Sequence, residues 1–367
     1  MTTAATMANT TTATTINADI LRELPKSPGV WAQAWKRLKN DRVGIVSFYI
    51  TLFFVGLVLL TVLGFVGKNW QKEVGTPFAP PHFIGKIVDG TQSAVVATVE
   101  GPAVDISAVD PLAPRYQEWA ERAAQFKTEV TVKSDTLPFG ADQLGRDVVS
   151  KVIKGAQVSI TVGLVAALFA TLIGTILGAV AGYFGGPVDD FLEWVYNVFT
   201  AIPYILLVFA MAAVLKSGPM AGTLGGGIWT VVIILSLVGW TGIYRLVRAE
   251  YIKHRAREYV MAAQAIGASH ASRMFTHILP NISHVILVQL SLHVVGFIKA
   301  EVILSYLGLG VPIDMVSWGT MLAEAQTELV QGKWWQLVAA TTFMACFVTA
   351  FALLTDALRD ALDPKLR

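Results

Sequence analysis

The sequence predicts an all-α polytopic membrane protein with six transmembrane helices, and three observations support this. Of the 367 residues, 54% are hydrophobic and only 15% are charged, whereas a soluble domain carries roughly 25% charged residues. The stretch 155–243 has only four charged residues, Asp189, Asp190, Glu193 and Lys216. Thirteen of the 28 Lys and Arg residues lie in three short segments, 36–42, 245–273 and 359–367. This pattern excludes an ordinary soluble enzyme and a disordered chain.

The first 30 residues are predicted to be a disordered cytoplasmic tail. Residues 1–19 are rich in Thr and Ala and contain no Lys or Arg, so they lack the basic start of a secretory signal. Residues 31–42 are basic and amphipathic, which is typical of a helix on a membrane surface. We therefore treat 31–66 as an amphipathic segment that leads into the first span.

A helix that crosses a bilayer needs about 20 mostly apolar residues. Six stretches meet this requirement, and they are residues 44–66, 159–181, 191–215, 227–243, 285–307 and 337–354.

Short loops rich in Lys and Arg remain on the cytoplasmic side of a membrane. Such residues precede span one, lie between spans four and five, and follow span six: Lys36, Arg37, Lys39, Arg42, Arg245, Arg248, Lys253, Arg255, Arg257, Arg273, Arg359, Lys365 and Arg367. Only an even number of spans puts all three segments on one side. Both termini, including the tail 359–367, are therefore expected in the cytoplasm, and 68–154 and 308–336 outside.

The outer segment 67–136 is expected to form a small folded insert. Residues 94–99 and 129–132 have the composition of strands, and 115–127 has helical spacing. The insert is either a variable surface decoration or a docking surface for an extracytoplasmic partner. After it, 140–160 is predicted to form an amphipathic helix on the outer surface. This helix begins the core 137–358, which contains spans two to six.

The sequence carries no motif for covalent chemistry, so no enzymatic activity is expected. No Gly-Lys pair is followed by Ser or Thr, which excludes a phosphate-binding P-loop. The histidines lack metal-ligand spacing, and Cys346, the single cysteine, cannot form an internal disulfide. Lys299 and Glu301 lie well inside span five. They are candidates for a translocation path, or each is satisfied at a helix interface or in a wet cavity.

The inner loop 244–284 is predicted to contain two short helices bent at Gly267, with Pro280 ending the second helix before span five. Ala262, Ala263 and Ile266 are expected to lie on one face of the first helix, 258–266. Small alanines on an exposed face would let another protein pack closely. The alternative is an interfacial helix lying on lipid.

The segment MAAQAIGAS…HILPN resembles the EAA loop of binding-protein-dependent ABC importer permeases. Ala262, Ala263, Gly267, Leu279 and Pro280 match its pattern, whereas Met261 stands where the family has Glu. Residues 137–160 (LPFGADQLGRDVVSKVIKGAQVSI), EVILSYLGLG with Ser317-Trp318-Gly319, and the ending LRDALDPKLR are similar to the C-type permease subunit of the dipeptide/oligopeptide transporters.

The resemblance implies the type I ABC importer permease fold, in an inner membrane. It also implies a second permease subunit, two ATPase subunits that bind ATP and Mg, and an extracytoplasmic binding protein for di- or oligopeptides. No cofactor is expected in this chain. The coupling residues carried over from the family are Glu258, Met261, Ala262, Ala263, Gly267 and Pro280, while Asp142, Arg146 and Asp147 are expected to form local caps and salt bridges. The alternatives are a self-contained secondary transporter or channel and, with less support, a membrane-anchored scaffold.

Overall fold

The computed structural model describes residues 30–85, 112, 115–125, 133–217, 227–312 and 314–362. Within these residues the chain is helical, apart from turns and isolated β-bridges. The α-helices in chain order are α1 (Val30–Asn40), α2 (Arg42–Val62), α3 (Tyr116–Gln125), α4 (Val148–Phe184), α5 (Gly186–Thr200), α6 (Tyr204–Ser217), α7 (Ile228–Gly239), α8 (Thr241–Arg255), α9 (Glu258–Ala265), α10 (Leu279–Tyr306), α11 (Trp318–Val330) and α12 (Trp335–Leu362).

The described residues contain four single helices that are long and apolar enough to cross a membrane. These are α2, α4, α12 and the run Ser272–Tyr306, in which a π-helix (Ser272–Ile278) continues into α10. The bent pairs α5–α6 and α7–α8 bring the number to six if each pair is one span. The all-α polytopic fold predicted from the sequence is thus confirmed.

Helix α4 combines two elements that were predicted as separate, the amphipathic helix at 140–160 and span two. It runs for 37 residues without a break from Val148, so the amphipathic segment predicted at 140–160 is not a separate helix. The start at Val148 is set by Asp147, whose carboxylate accepts hydrogen bonds from the amides of Val149 (3.3 Å) and Ser150 (2.8 Å). At 1.5 Å per residue the helix is about 55 Å long, well beyond the ~30 Å apolar core of a bilayer.

Spans three and four are not single straight helices, in contrast to the prediction. Helices α5 and α6 meet at 89°, and α7 and α8 at 41°. The first bend lies at Pro203, which lacks an amide donor and disfavours helical geometry in the residue before it. The second lies at Trp240, where no proline is present.

Pro280 does not end a helix, so that prediction was wrong. It occupies the first turn of α10, where a proline is tolerated because the amide there needs no intrahelical partner. The wider π-helical turn precedes it without a gap. The side-chain amide of Asn281 donates to the carbonyl of His277 at 2.6 Å, which satisfies one backbone group at this junction.

Helix α4 lies at the centre of the molecule and packs closely on α8 through glycines. A Cβ added at Gly174, Gly178 or Gly182 would lie 2.4–2.6 Å from a backbone oxygen of the α7–α8 pair: from that of Trp240 (2.5 Å), Tyr244 (2.6 Å) and Arg248 (2.4 Å), respectively. Since backbone cannot move aside, only glycine permits this approach. On the other side of the core, the ring of Phe54 in α2 packs on Phe347 in α12, with centroids 5.3 Å apart.

The two ends of the outer insert are joined at its base. The amide of Thr76 donates to the carbonyl of Ser134, and that of His82 to the carbonyl of Leu137, both at 2.9 Å. The predicted helix at 115–127 is present as α3. The strands predicted at 94–99 and 129–132 lie outside the described residues.

Candidate functional site

The short helix α9 is the central element of the inner loop. It follows α8 after a two-residue break and has Glu258 in its first turn, where a carboxylate is favoured by the helix dipole. Val260 (3% exposed) and Ala263 (4% exposed) face the chain itself, and Val260 belongs to an apolar cluster with Val247, Tyr251, Met274 and Ile278.

Gly267 ends α9 in the manner expected of a residue that needs an unusual backbone conformation. Its φ is +86°, a region that favours glycine. Its amide donates to the carbonyl of Gln264, and the amide of Ala268 to that of Ala263, both at 3.0 Å. This pair of bonds is a Schellman motif, which satisfies the last carbonyls of the helix while the chain turns.

The exposed face of α9 differs from the predicted one. Ala262 is exposed, as are Met261 (53%) and Ile266 (85%), but Ala263 is buried. Adjacent residues of a helix are about 100° apart, so Ala262 and Ala263 do not share a face. The apolar surface available to another protein therefore comprises Met261, Ala262, Ala265 and Ile266, which we call the α9 surface.

The loop is attached to the inner end of α4 by hydrogen bonds from several of its parts. Arg255 donates to the carbonyls of Gly182 (3.2 Å) and Tyr183 (3.3 Å), and the hydroxyl of Tyr183 bonds His270 at 3.1 Å. Arg273 donates to the side-chain oxygen of Gln264 at 2.7 Å, which links the π-helix to α9. Pro280 is exposed just beyond this segment. The predicted coupling residues therefore lie on one connected element.

Lys299 and Glu301 are not brought together. Glu301 is fully buried, and one of its oxygens accepts a hydrogen bond from Ser305 at 2.6 Å. The other oxygen, Oε2, has no hydrogen-bond partner among the described residues. Lys299 is exposed. Glu301 thus lies in a helix interface, whereas Lys299 remains on an open face of α10.

A buried polar cluster on the outer side was only partly predicted from the sequence. The ammonium of Lys151, fully buried in α4, donates to Asp142 at 2.7 Å, to Gln336 at 3.2 Å and to Glu324. Arg146 also pairs with Asp142 at 2.6 Å. Burial alone would raise the pKa of Asp142, but the charge and hydrogen bond of Lys151, together with Arg146, hold that pKa below its usual value. The predicted roles of Asp142, Arg146 and Asp147 are confirmed, and Lys151, Glu324 and Gln336 are additions.

Only the fold brings these three additional residues together. Glu324 and Gln336 are 173 and 185 positions from Lys151 in the chain. The one signal in the sequence is that Lys151 lies four residues after the LGRD segment, in the first turn of the helix that Asp147 caps.

The sequence matches a family model described as "Binding-protein-dependent transport system inner membrane component" over residues 174–367. It is 32% identical to the dipeptide transport system permease protein DppC of Bacillus subtilis, over 91% of this chain and 85% of that protein. It is 38% identical to the oligopeptide transport system permease protein OppC of Bacillus subtilis, over 62% of this chain and 72% of that protein. A chain of the MetNI methionine ABC transporter in an inward-facing conformation has a TM-score of 0.47 and 15% identity, over 58% of this chain and 96% of that one.

The family match covers more than half of the chain, including the bent spans, the inner loop and α10. The relative with 32% identity extends the similarity to 91% of the chain. The chain therefore belongs to the family of binding-protein-dependent transport system inner membrane components, the multi-pass permeases of ABC importers.

Proposed function

We propose that this chain is the C-type permease subunit of an ATP-driven importer of di- or oligopeptides, and that it forms half of the translocation path. A second permease subunit would form the other half, and an extracytoplasmic binding protein would deliver the substrate. The peptide class is supported by the dipeptide and oligopeptide permeases to which the chain is similar. ATP and Mg would be bound by two ATPase subunits, since the chain has no phosphate-binding loop of its own.

The observation that carries this proposal is the geometry of the inner loop. A short helix ends in a left-handed glycine, exposes two alanines between two larger apolar residues, and is attached to the inner end of α4. Ala262 leaves room for another protein, and Met261 and Ile266 supply apolar area that is costly to leave in water. We assign the α9 surface as the contact with an ATPase subunit.

The test introduces bulk at Ala262 and strain at Gly267 in cells that carry the whole transporter. Ala262→Trp should lower peptide uptake at least tenfold and reduce recovery of the ATPase with the tagged chain. Ala262→Ser keeps the residue small and should behave as the wild type. Ala263 is not used, because a charge or bulk at this buried position would disturb the chain itself.

Gly267→Val adds a β-branched side chain at positive φ, which costs at least 1–2 kcal/mol and would change the turn after α9. Gly332 is the matched control, since its φ is +77° and no atom lies within 4 Å of its added Cβ. It lies between α11 and α12 on the predicted outer side, so Gly332→Val carries similar strain away from the loop. We expect only Gly267→Val to reduce ATPase recovery. Normal uptake by Ala262→Trp at normal membrane abundance would refute the coupling assignment.

Transport of peptide by the purified chain alone in liposomes would favour a self-contained transporter instead. Co-purification of an ATPase and a second permease with the tagged chain would support the importer.

A further inference from the structure

The open face of α10 carries one charged residue, Lys299, between the exposed apolar side chains of Leu292 and Ile303. Lys299 lies inside the span and is exposed, and it forms no ion pair within the described part of the chain. A lysine facing acyl chains is costly, so such residues turn toward water or protein. This face of α10 is therefore expected to border the path rather than the lipid.

Gln289 lies on the same broad side of α10 and is held in place by its neighbours. Its side-chain amide donates to Nε2 of His293 at 3.2 Å, and Nδ1 of His293 donates to the hydroxyl of Thr171 in α4, also at 3.2 Å. The imidazole stacks on Phe297 with ring centroids 5.2 Å apart. Both ring nitrogens of His293 are thus occupied. The carbonyl oxygen and second N–H of Gln289 have no partner among the described residues.

Glycines keep the space beside these groups open. An added Cβ at Gly242, next to the bend of span four, would lie 3.7 Å from the amide nitrogen of Gln289. Gly296, between Gln289 and Lys299, would have no atom within 4 Å of an added Cβ. The backbone of α10 is therefore accessible at Gly296.

The spacing of these groups fits an extended peptide. Gln289 and Lys299 are ten residues apart, which is about 15 Å along a helix and about 80° around its axis. An extended chain advances about 3.3–3.6 Å per residue, so four or five residues cover this distance. A C-terminal carboxylate is the peptide group that a lysine ammonium binds most strongly.

We propose that Gln289, Gly296 and Lys299 form a binding track for a short extended peptide in transit. Gln289 bonds a backbone amide, Lys299 pairs with the terminal carboxylate, and Gly296 leaves room for the chain. His293 is a positioning residue that fixes the amide of Gln289. This inference rests on the proposed import of peptides and deepens it by naming the contacts within this subunit.

Accessibility of introduced thiols tests whether the track is open to water. Lys299→Cys and Gly296→Cys are made separately in a Cys346→Ala background, within the complete transporter in cells. A membrane-impermeant, positively charged methanethiosulfonate should modify both thiols, and tetra-alanine should slow the modification severalfold. Cys346 of the wild type, exposed in an apolar groove between α2 and α12, is the lipid-facing control and should not react. Absence of labelling at both positions, or labelling that tetra-alanine does not slow, overturns the proposal.

A second measurement isolates the role of Lys299. Uptake of tetra-alanine is compared with that of its C-terminal amide, and the preference for the free acid is measured in each variant. Because the binding protein is unchanged, a change in this preference comes from the permease. We expect Lys299→Gln to reduce the preference about tenfold and Lys299→Arg to retain it. An unchanged preference in Lys299→Gln, with normal wild-type uptake, refutes the track alone, whereas absence of tetra-alanine uptake by the wild type counts against the proposed function.

His293→Phe keeps an aromatic ring at this position but removes both hydrogen bonds. If His293 only supports packing, this variant should leave the apparent KM for tetra-alanine unchanged. We expect KM to rise severalfold, as it should in Gln289→Ala, with no further rise in the double variant.

Discussion

Glu328, in α11, is a carboxylic acid buried beside the outer polar cluster. Its Oε1 accepts a hydrogen bond from the amide of Gln143 at 3.2 Å, while Oε2 has no partner among the described residues. Burial raises the pKa of Glu328 to about 7, against the opposing charge of Lys151 and the hydrogen bond from Gln143. Near neutral pH this residue is therefore partly protonated, unlike the ionised Asp142 nearby.

The raised pKa of Glu328 predicts how stability depends on pH. The folded chain binds this proton more tightly than the unfolded chain. The contribution of Glu328 to the free energy of unfolding is therefore full below pH 4.5 and is lost as pH rises toward 7. Glu328→Gln should remove this loss, so the pH dependence of Tm between these values should flatten by roughly 2–4 °C. Thermal unfolding in detergent, followed by tryptophan fluorescence, measures it. Glu73→Gln, at an exposed pair with Lys133, is the control, and parallel profiles for all three proteins would contradict the prediction.

At the scale of elements, the seam between α4 and α8 depends on the absence of side chains. Gly178→Val would place a Cβ 2.6 Å from the carbonyl oxygen of Tyr244, and relief requires the two helices to separate. Overpacking of this kind costs about 1–3 kcal/mol or more. We expect a lower Tm and a lower yield of folded protein.

Gly56→Val is the matched control for Gly178→Val, since Gly56 lies within α2 and no atom lies within 4 Å of its added Cβ. It should be close to neutral in the same detergent. Equal Tm values for the two variants would show that the seam does not require glycine.

The same elements show what the sequence could and could not predict. Apolar length located the four long membrane helices and the two bent pairs, and the composition of the loop located the turn at Gly267, because these properties are local. Local patterns did not reveal three features that depend on neighbouring helices. These are the bend at Trp240, the continuation of the helix through Pro280 and the burial of Ala263. Lys151 shows the same limit, because its partners in α11 and α12 are far away in the chain.

At the scale of the whole molecule, the net charge of +2 conceals a polarised distribution of basic residues. The inner loop alone contributes Arg245, Arg248, Lys253, Arg255, Arg257 and Arg273. The positive-inside rule then predicts that this loop and both termini lie in the cytoplasm.

Single cysteines at Arg257 and Lys133, in a Cys346→Ala background, test the orientation. An impermeant thiol reagent added to intact cells should label Lys133→Cys, whereas Arg257→Cys should react only after the membrane is permeabilised. Both positions are exposed in the structure, so differences in burial do not explain a difference in labelling. The reverse pattern would invert the proposed topology.

The unbroken length of α4 has a mechanical consequence. Its inner end holds the loop through Arg255, and its outer end holds the cluster around Lys151. A helix about 55 Å long that tilts by about 10° around one end displaces the other by about 10 Å. If α4 moves as one rigid body, a small rotation at the end that holds the loop would therefore produce a large lateral movement at the end that holds Lys151.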